Sequence, residues 1–137
     1  MSDNFKSPKT WAELVSIKSS LVNHPGVYRR KPLILLFYIL YLYLIPQKLR
    51  HNIILRQIGD HPYKLAPNNF PYNKLLKNLP NVKQFCLWSS IGPLPAQKVD
   101  NIIRTAYPRS HFFWFENFPK NRSVPEIWHC HVFVNDQ

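Results

Sequence analysis

Apolar residues in the first part of the chain recur at the three- to four-residue spacing of an α-helix. This spacing predicts a helix over residues 10–22, where the Thr10 hydroxyl and the Glu13 carboxylate form a capping box. It also predicts an amphipathic helix over residues 48–58 that ends at Gly59. The chain is therefore expected to begin with helices.

Between these two segments lies a continuous apolar run, residues 33–45, which contains three tyrosines and closes at Pro46. Its 13 residues are fewer than the ~20 that a helix needs to cross a bilayer, so no transmembrane segment is expected. We expect a buried core helix, separated from the next helix by Pro46. The alternative is an interfacial membrane helix, because basic residues flank the run on both sides.

After residue 60, short β-rich runs replace the helical spacing. Strands are predicted over residues 82–89, 111–115 and 127–134, with one short helix over residues 96–106. This order predicts an α+β fold, in which N-terminal helices pack on a small, mainly antiparallel β-sheet formed by the C-terminal half. The expected organisation is a flexible basic arm (1–9) and a single domain (10–137) with a helical part (10–60) and a strand-rich part (61–137).

The charge of the chain narrows the range of partners. The 137 residues include 18 Lys and Arg against 7 Asp and Glu, which gives a net charge of +11. An apolar fraction of 45% argues against a disordered chain. A strongly positive protein favours an anionic partner, such as nucleic acid, nucleotide phosphates, or an acidic protein or membrane surface.

Cys86 and Cys130 both fall in predicted strands. Residues 1–20 contain no apolar segment of the kind found in a signal peptide. We therefore expect two reduced, buried thiols in a cytoplasmic or nuclear protein.

Uncommon residues recur in the second half of the chain and define a set of motifs. The motif residues are Asn68, Pro71, Tyr72, Trp88, Trp114, Asn117, Ser123, Val124, His129 and His131. In this order, and with a Trp-x-x-Leu pattern at Trp11 and Leu14, they resemble an uncharacterised domain family. That family is known from the fungal N-acetylglucosamine-induced protein, with relatives in other eukaryotes and in large viruses. The resemblance implies a grouping by fold and carries no activity with it.

Three places depart from the pattern of that family. Asn69 and Phe70 replace an Asp-Trp pair, Glu116 replaces a lysine, and Trp128 replaces an acidic residue. Any acid–base role of the family's aspartate is therefore lost in this chain.

His129 and His131 are the residues best suited to chemistry. Alternation along a strand places both on one face and Cys130 on the other. A catalytic zinc site would need a third ligand, for which His111 is the obvious candidate. We favour two histidines that are hydrogen-bonded to backbone carbonyls or to Tyr and Asn side chains, with no metal and no cofactor.

The C-terminal region also resembles the histidine-triad nucleotide hydrolases, through the order Asn117, Ser123, Val124, His129, His131. This resemblance implies that His129 or His131 acts as nucleophile or acid, while Arg122 and Ser123 hold phosphate oxygens. The third histidine and the Gly-rich loop of those enzymes are missing here. From the residues alone, Lys120, Arg122 and Ser123 form a basic turn suited to one phosphate, or an ordinary turn capped by asparagines.

Three functions follow from these observations. The first is a small basic binding module for a phosphate-bearing ligand, either nucleic acid or nucleotide. The second is a phosphate-ester hydrolase or transferase that uses the strand of His129 and His131. The third is a structural or interaction protein of a viral particle or large assembly, with an acidic protein partner.

Overall fold

A computed structural model describes residues 6–23, 32–68, 71–116 and 127–136. Within these ranges, helices come first and a four-stranded antiparallel sheet follows, which confirms the predicted α+β fold. The helices are α1 (Trp11–Ser16), α2 (Lys18–Asn23), α3 (Pro32–Leu44), α4 (Gln47–Ile58) and α5 (Ala96–Ala106). The strands are β1 (Tyr63–Pro67), β2 (Val82–Ser89), β3 (His111–Phe115) and β4 (Trp128–Asn135).

The predicted helix over residues 10–22 forms as two short helices that meet at Ile17. The Thr10 hydroxyl accepts a hydrogen bond of 3.2 Å from the Glu13 N–H, as a capping residue does. The Glu13 carboxylate accepts from the N–H of Lys9, one residue before the position that a capping box predicts. Residues 6–9 are anchored rather than loose, because the buried Ser7 donates a hydrogen bond of 2.7 Å to the Lys74 carbonyl.

Pro46 separates α3 from α4, as predicted, because it ends the helical hydrogen bonding of the apolar run. The Arg50 guanidinium bridges this break and donates hydrogen bonds of 2.8 Å to the carbonyls of Leu42 and Ile45. A cation at the carbonyl end of a helix satisfies acceptors that have no partner within the helix. α4 ends at Gly59, whose φ of +69° favours glycine.

The prediction that residues 33–45 form a buried core helix is wrong. Of the ten side chains described in α3, over residues 35–44, seven are exposed and three are half-buried. A uniformly apolar sequence predicts a helix well, but its periodicity does not indicate which side is covered.

The sheet has the strand order β1-β2-β4-β3, so β4 lies in its interior and β3 at one edge. β1 occupies the other edge and is not among the strands that the sequence predicts, since Pro62 and Pro67 interrupt the apolar pattern there. An edge strand tolerates proline because one side of it makes no ladder hydrogen bonds. All eight residues of β4 are buried, because the sheet is covered on both faces.

Two main apolar cores lie on opposite faces of this sheet. The first, under α1, α2 and the turn of residues 72–79, includes Leu14, Leu21, Tyr72, Leu75, Phe113, Phe115 and Phe133. The second, under α5, includes Leu87, Val99, Ile103, Trp128, Cys130, Val132 and Val134. A smaller cluster joins Ile54 and Ile58 of α4 to Cys86, Trp88 and Ile127.

Candidate functional site

His129 and His131 lie on the same face of β4, as strand alternation predicts. The antiparallel register places His129 opposite Trp88 and His131 opposite Cys86 of β2. His131 also lies opposite Phe115 of β3. The two histidines are buried, with 5% and 6% of their surfaces exposed, and their ring centroids are 5.9 Å apart.

The His129 ring is fixed by one hydrogen bond and one ring contact. Its Nδ1 lies 3.1 Å from the carbonyl oxygen of Ile127, which can only accept. Nδ1 therefore carries a proton, and in the neutral ring Nε2 is an acceptor. The Trp88 ring lies against the imidazole at a centroid distance of 4.3 Å.

The His131 ring is held by Gln84. The Oε1 atom of Gln84 accepts a hydrogen bond of 2.7 Å from the Tyr72 N–H, so Nε2 of the same amide points toward His131. This Nε2 lies 3.4 Å from Nδ1 of His131, and the Cys86 thiol lies 3.8 Å from that nitrogen. The Gln84 amide nitrogen can only donate and the Cys86 thiol is able to donate, so Nδ1 of His131 is the acceptor and Nε2 carries the proton.

The two histidines therefore have opposite tautomers. In these tautomers Nε2 is an acceptor in His129 and a donor in His131. A pair that gives a proton at one ring and takes one at the other is suited to bind a phosphoryl oxygen or to transfer protons.

Aromatic rings enclose the pair beside the first core. The Tyr72 ring lies 5.5 Å from the His131 ring, and the Phe115 ring lies 5.4 Å from it. The Phe133 ring lies 6.1 Å from that of Tyr72. This apolar surrounding strengthens any electrostatic interaction made by the imidazoles.

The motif residues divide between the two faces of the sheet. Asn68, Tyr72 and Trp88 belong to the histidine side, where the Asn68 N–H donates to the Gln84 carbonyl at 3.2 Å. Pro71 is half-buried beside Tyr72. Trp114 takes the other side, packs against the second core, and donates a hydrogen bond of 2.8 Å to Asp100.

The remaining candidates are not part of this arrangement. His111 is exposed and pairs with Asn135, at the opposite end of β4 from the two histidines. Asn117 and the proposed phosphate-binding residues Lys120, Arg122 and Ser123 lie outside the described residues.

Metal binding finds no support in the described ranges. They contain no group of three or more His, Cys, Asp or Glu side chains that could hold a metal ion. Cys130 packs in the second core, on the face opposite the histidines. Burial raises the pKa of the Cys130 thiol well above its ordinary value, with further increases from Cys86 and Glu116 and a partial offset from a backbone hydrogen bond of Leu87.

The sequence patterns did not lead us to place Gln84 or Cys86 beside His131, although a signal for both was present. They alternate in β2, so they share a face with Trp88. A glutamine in the same strand, directly before the apolar run Phe85–Trp88, indicates a buried amide that needs partners.

Two surface cavities formed by described residues, each of about 290 Å³, lie elsewhere. One is lined by Lys9, Asn78, Asn81 and Asn135 at the far end of β4. The other lies beside α5 and Tyr63. Neither includes His129 or His131.

Comparison with known proteins identifies a fold and one weakly similar sequence. No protein-family profile matches the chain. It is 30% identical over 90 residues to an uncharacterized protein of Saccharomyces cerevisiae. That match covers 53% of this chain and 43% of the yeast protein, so it spans less than half of that relative's length.

The same fold is found in the crystal structure of a protein named HTC1. The TM-score is 0.61, with 21% sequence identity over 91% of this chain and 84% of that chain. At this level of identity the likeness shows the shared fold alone.

Proposed function

We propose that the protein binds a phosphate-bearing ligand of the nucleotide class at the His129–His131 pair. The observation that supports this proposal most is the pair of opposite tautomers on one face of β4. A phosphate has oxygens that accept and, when protonated, an O–H that donates, so it complements one donor and one acceptor. The net charge of +11 attracts such a ligand.

A nucleotide fits better than a long nucleic acid. Non-specific single-strand binding needs exposed aromatic rings for base stacking. In the sheet that carries the histidine pair, Trp88, Phe115 and Trp128 are buried, and Phe112 is half-buried beneath the Arg104 guanidinium at 4.6 Å. On sequence grounds, the proposal adds Lys120, Arg122 and Ser123 as anion-binding residues in the segment between β3 and β4.

The binding test uses variants that spare the fold. An asparagine side chain places its amide near the position of Nδ1 and lacks Nε2. His129→Asn keeps a donor for the Ile127 carbonyl, and His131→Asn keeps an acceptor for Gln84. The matched control is His111→Asn, since that residue is exposed on the same sheet.

The measurement is calorimetric titration with ATP, ADP, AMP, inorganic phosphate and an oligouridylate at several salt concentrations. We expect at least one nucleotide to bind, and both site variants to weaken it about tenfold or more, which is ~1.4 kcal/mol or more. The control variant should bind as the unaltered chain does. Absence of binding at low ionic strength, or equal affinity in all variants, rejects the proposal.

A second candidate is hydrolysis or transfer of a phosphate ester by the same pair. The opposite tautomers favour it, because one ring can accept a proton while the other donates one in the same turnover. In this reaction His129 or His131 is the nucleophile or the acid. Nucleoside phosphoramidates, dinucleotides and sugar nucleotides are the substrates to assay. Full turnover in both His→Asn variants excludes this role.

We also propose a family and a cellular location for the protein. Placement of Asn68, Tyr72 and Trp88 around the histidines supports the grouping with the N-acetylglucosamine-induced protein's domain family. A cytoplasmic or nuclear location is proposed from the reduced thiols of Cys86 and Cys130. The described residues contain no helix long and apolar enough to cross a membrane. A role in a viral particle or with an acidic protein partner remains the third proposal, to be tested by purifying native complexes.

A further inference from the structure

The polarity of α3 is reversed relative to an ordinary surface helix. Its half-buried side chains are Tyr38, Tyr41 and Leu42, so two of its hydroxyl-bearing residues lie on the more covered side of the helix. Its most exposed side chains are apolar or aromatic: Leu36 (51%), Phe37 (52%), Ile39 (51%), Tyr43 (85%) and Leu44 (66%). A helix in water would place these residues inside.

Helical spacing gathers these exposed residues on one side. Leu36, Leu40 and Leu44 are four residues apart and lie on one face, with Phe37 and Tyr43 beside them. Tyr38 and Tyr41 are three residues apart and lie on the opposite face. Burial is the main reason that the pKa of Tyr41 is raised above its ordinary value, which agrees with a partly covered side chain.

The next helix, α4, also carries exposed apolar side chains, together with exposed basic residues. Leu49 and Ile53 are exposed there, at 51% and 41%. Lys48 and Arg56 are exposed on the same helix. The sequence contains no acidic residue from Leu14 to Gly59, so no carboxylate of this segment opposes their charge.

We propose that the exposed face of α3, with the adjoining side of α4, docks onto an anionic lipid bilayer surface. Apolar side chains would enter the region between headgroups and acyl chains, while Lys48 and Arg56 would meet anionic headgroups. The 13 residues of α3 make a helix of about 20 Å, too short for a hydrocarbon core of ~30 Å. The helix therefore lies along the surface.

Charge favours lipid over a second copy of the chain. Two copies that met through this face would bring like charges together, on a protein whose net charge is +11. An anionic bilayer supplies the opposite charge and an apolar layer together. Tyrosine is also common at the boundary between lipid and water, which suits the exposed Tyr43.

The test is co-sedimentation of the full chain with vesicles of phosphatidylcholine alone and with vesicles that also contain phosphatidylserine. We expect at least tenfold tighter binding to the anionic vesicles, and weaker binding as salt increases. The double variant Leu36→Ser/Leu40→Ser should lose this binding. Its matched control is Ile91→Ser, which changes an apolar residue that is 68% exposed outside α3 and α4.

Charge reversal tests the electrostatic part. Lys48→Glu/Arg56→Glu should reduce the preference for anionic vesicles more than Lys77→Glu/Arg109→Glu, which changes the net charge equally at exposed positions elsewhere. Circular dichroism confirms that each variant is folded. The proposal is overturned if anionic vesicles bind no better than neutral ones, or if the control variants lose binding equally. A dimer in sedimentation velocity that dissociates in Leu36→Ser/Leu40→Ser would assign the face to a second copy and also overturn it.

Discussion

Gln84 accepts a hydrogen bond of 2.7 Å from the backbone N–H of Tyr72 and so fixes that residue against the sheet. The same amide faces Nδ1 of His131 with its nitrogen, at 3.4 Å. The buried Gln84 side chain thus connects the turn of residues 72–79 to the histidine pair of β4. The amide oxygen holds Tyr72 and the amide nitrogen faces His131, so substitutions can alter the two contacts separately.

Replacing Gln84 with leucine should destabilise the fold. The buried Tyr72 N–H would lose its acceptor, and an unsatisfied buried donor costs ~1–3 kcal/mol. Urea denaturation measures the change in the free energy of unfolding. The control is Gln97→Leu at an exposed position of α5, where we expect a change within about 0.5 kcal/mol. Equal stability of the two variants would show that the Tyr72 N–H is satisfied by another acceptor.

Gln84→Glu should reverse the tautomer of His131. The carboxylate still accepts from the Tyr72 N–H, but it presents an acceptor to Nδ1 in place of the amide donor. His131 must then carry a proton on Nδ1. Nitrogen-15 NMR of the imidazole rings distinguishes the tautomers. We expect His129 to remain protonated on Nδ1 in both proteins, because its partner is the unchanged Ile127 carbonyl. A His131 spectrum that does not respond to the substitution contradicts the contact.

The sequence predicted the face of the two histidines but not what fixes their protons. Alternation along a strand requires only local spacing, so it placed His129 and His131 together. The contact between Gln84 and Tyr72 joins residues 12 apart through a turn whose path depends on tertiary packing. Strand β1 is not predicted because Pro67 argues against a strand. Proline is compatible with an edge strand, but the sequence does not indicate which strand lies at the edge.

The Cys130 thiol should make stability depend on alkaline pH. Burial raises its pKa in the folded state, so the thiol stays protonated while the unfolded chain ionises above about pH 8.5. This contribution is fully present below that pH and is lost as pH rises toward the folded pKa. The free energy of unfolding should therefore fall by up to ~1.4 kcal/mol per pH unit from this group.

The comparison is between the unaltered chain and Cys130→Ala, by urea denaturation from about pH 7 to pH 10. The variant is less stable at neutral pH because it leaves a small cavity. Its stability should nevertheless decrease less steeply above about pH 8.5. Parallel curves would mean that Cys130 ionises equally in the folded and unfolded states.

Arg50 should stabilise the C-terminal end of α3 against local unfolding. Its guanidinium donates to the carbonyls of Leu42 and Ile45, so Arg50→Ala leaves both without this donor. We expect faster hydrogen exchange of the Ile45 amide by about tenfold, which corresponds to ~1.4 kcal/mol of local stability. Arg56→Ala removes an exposed arginine of the same helix and is the control. Equal exchange in both variants would contradict the role of Arg50.

Because all of β4 is buried, the protein should be sensitive to any insertion or deletion within this strand. Each of its eight residues is packed on one face or the other, so the strand has no solvent side on which an extra residue could be accommodated. Deleting one residue within it would move every side chain on one side of the deletion to the opposite face of the sheet. Libraries of single-residue insertions and deletions should therefore show tolerance in the connecting segments and a sharp gap over residues 128–135.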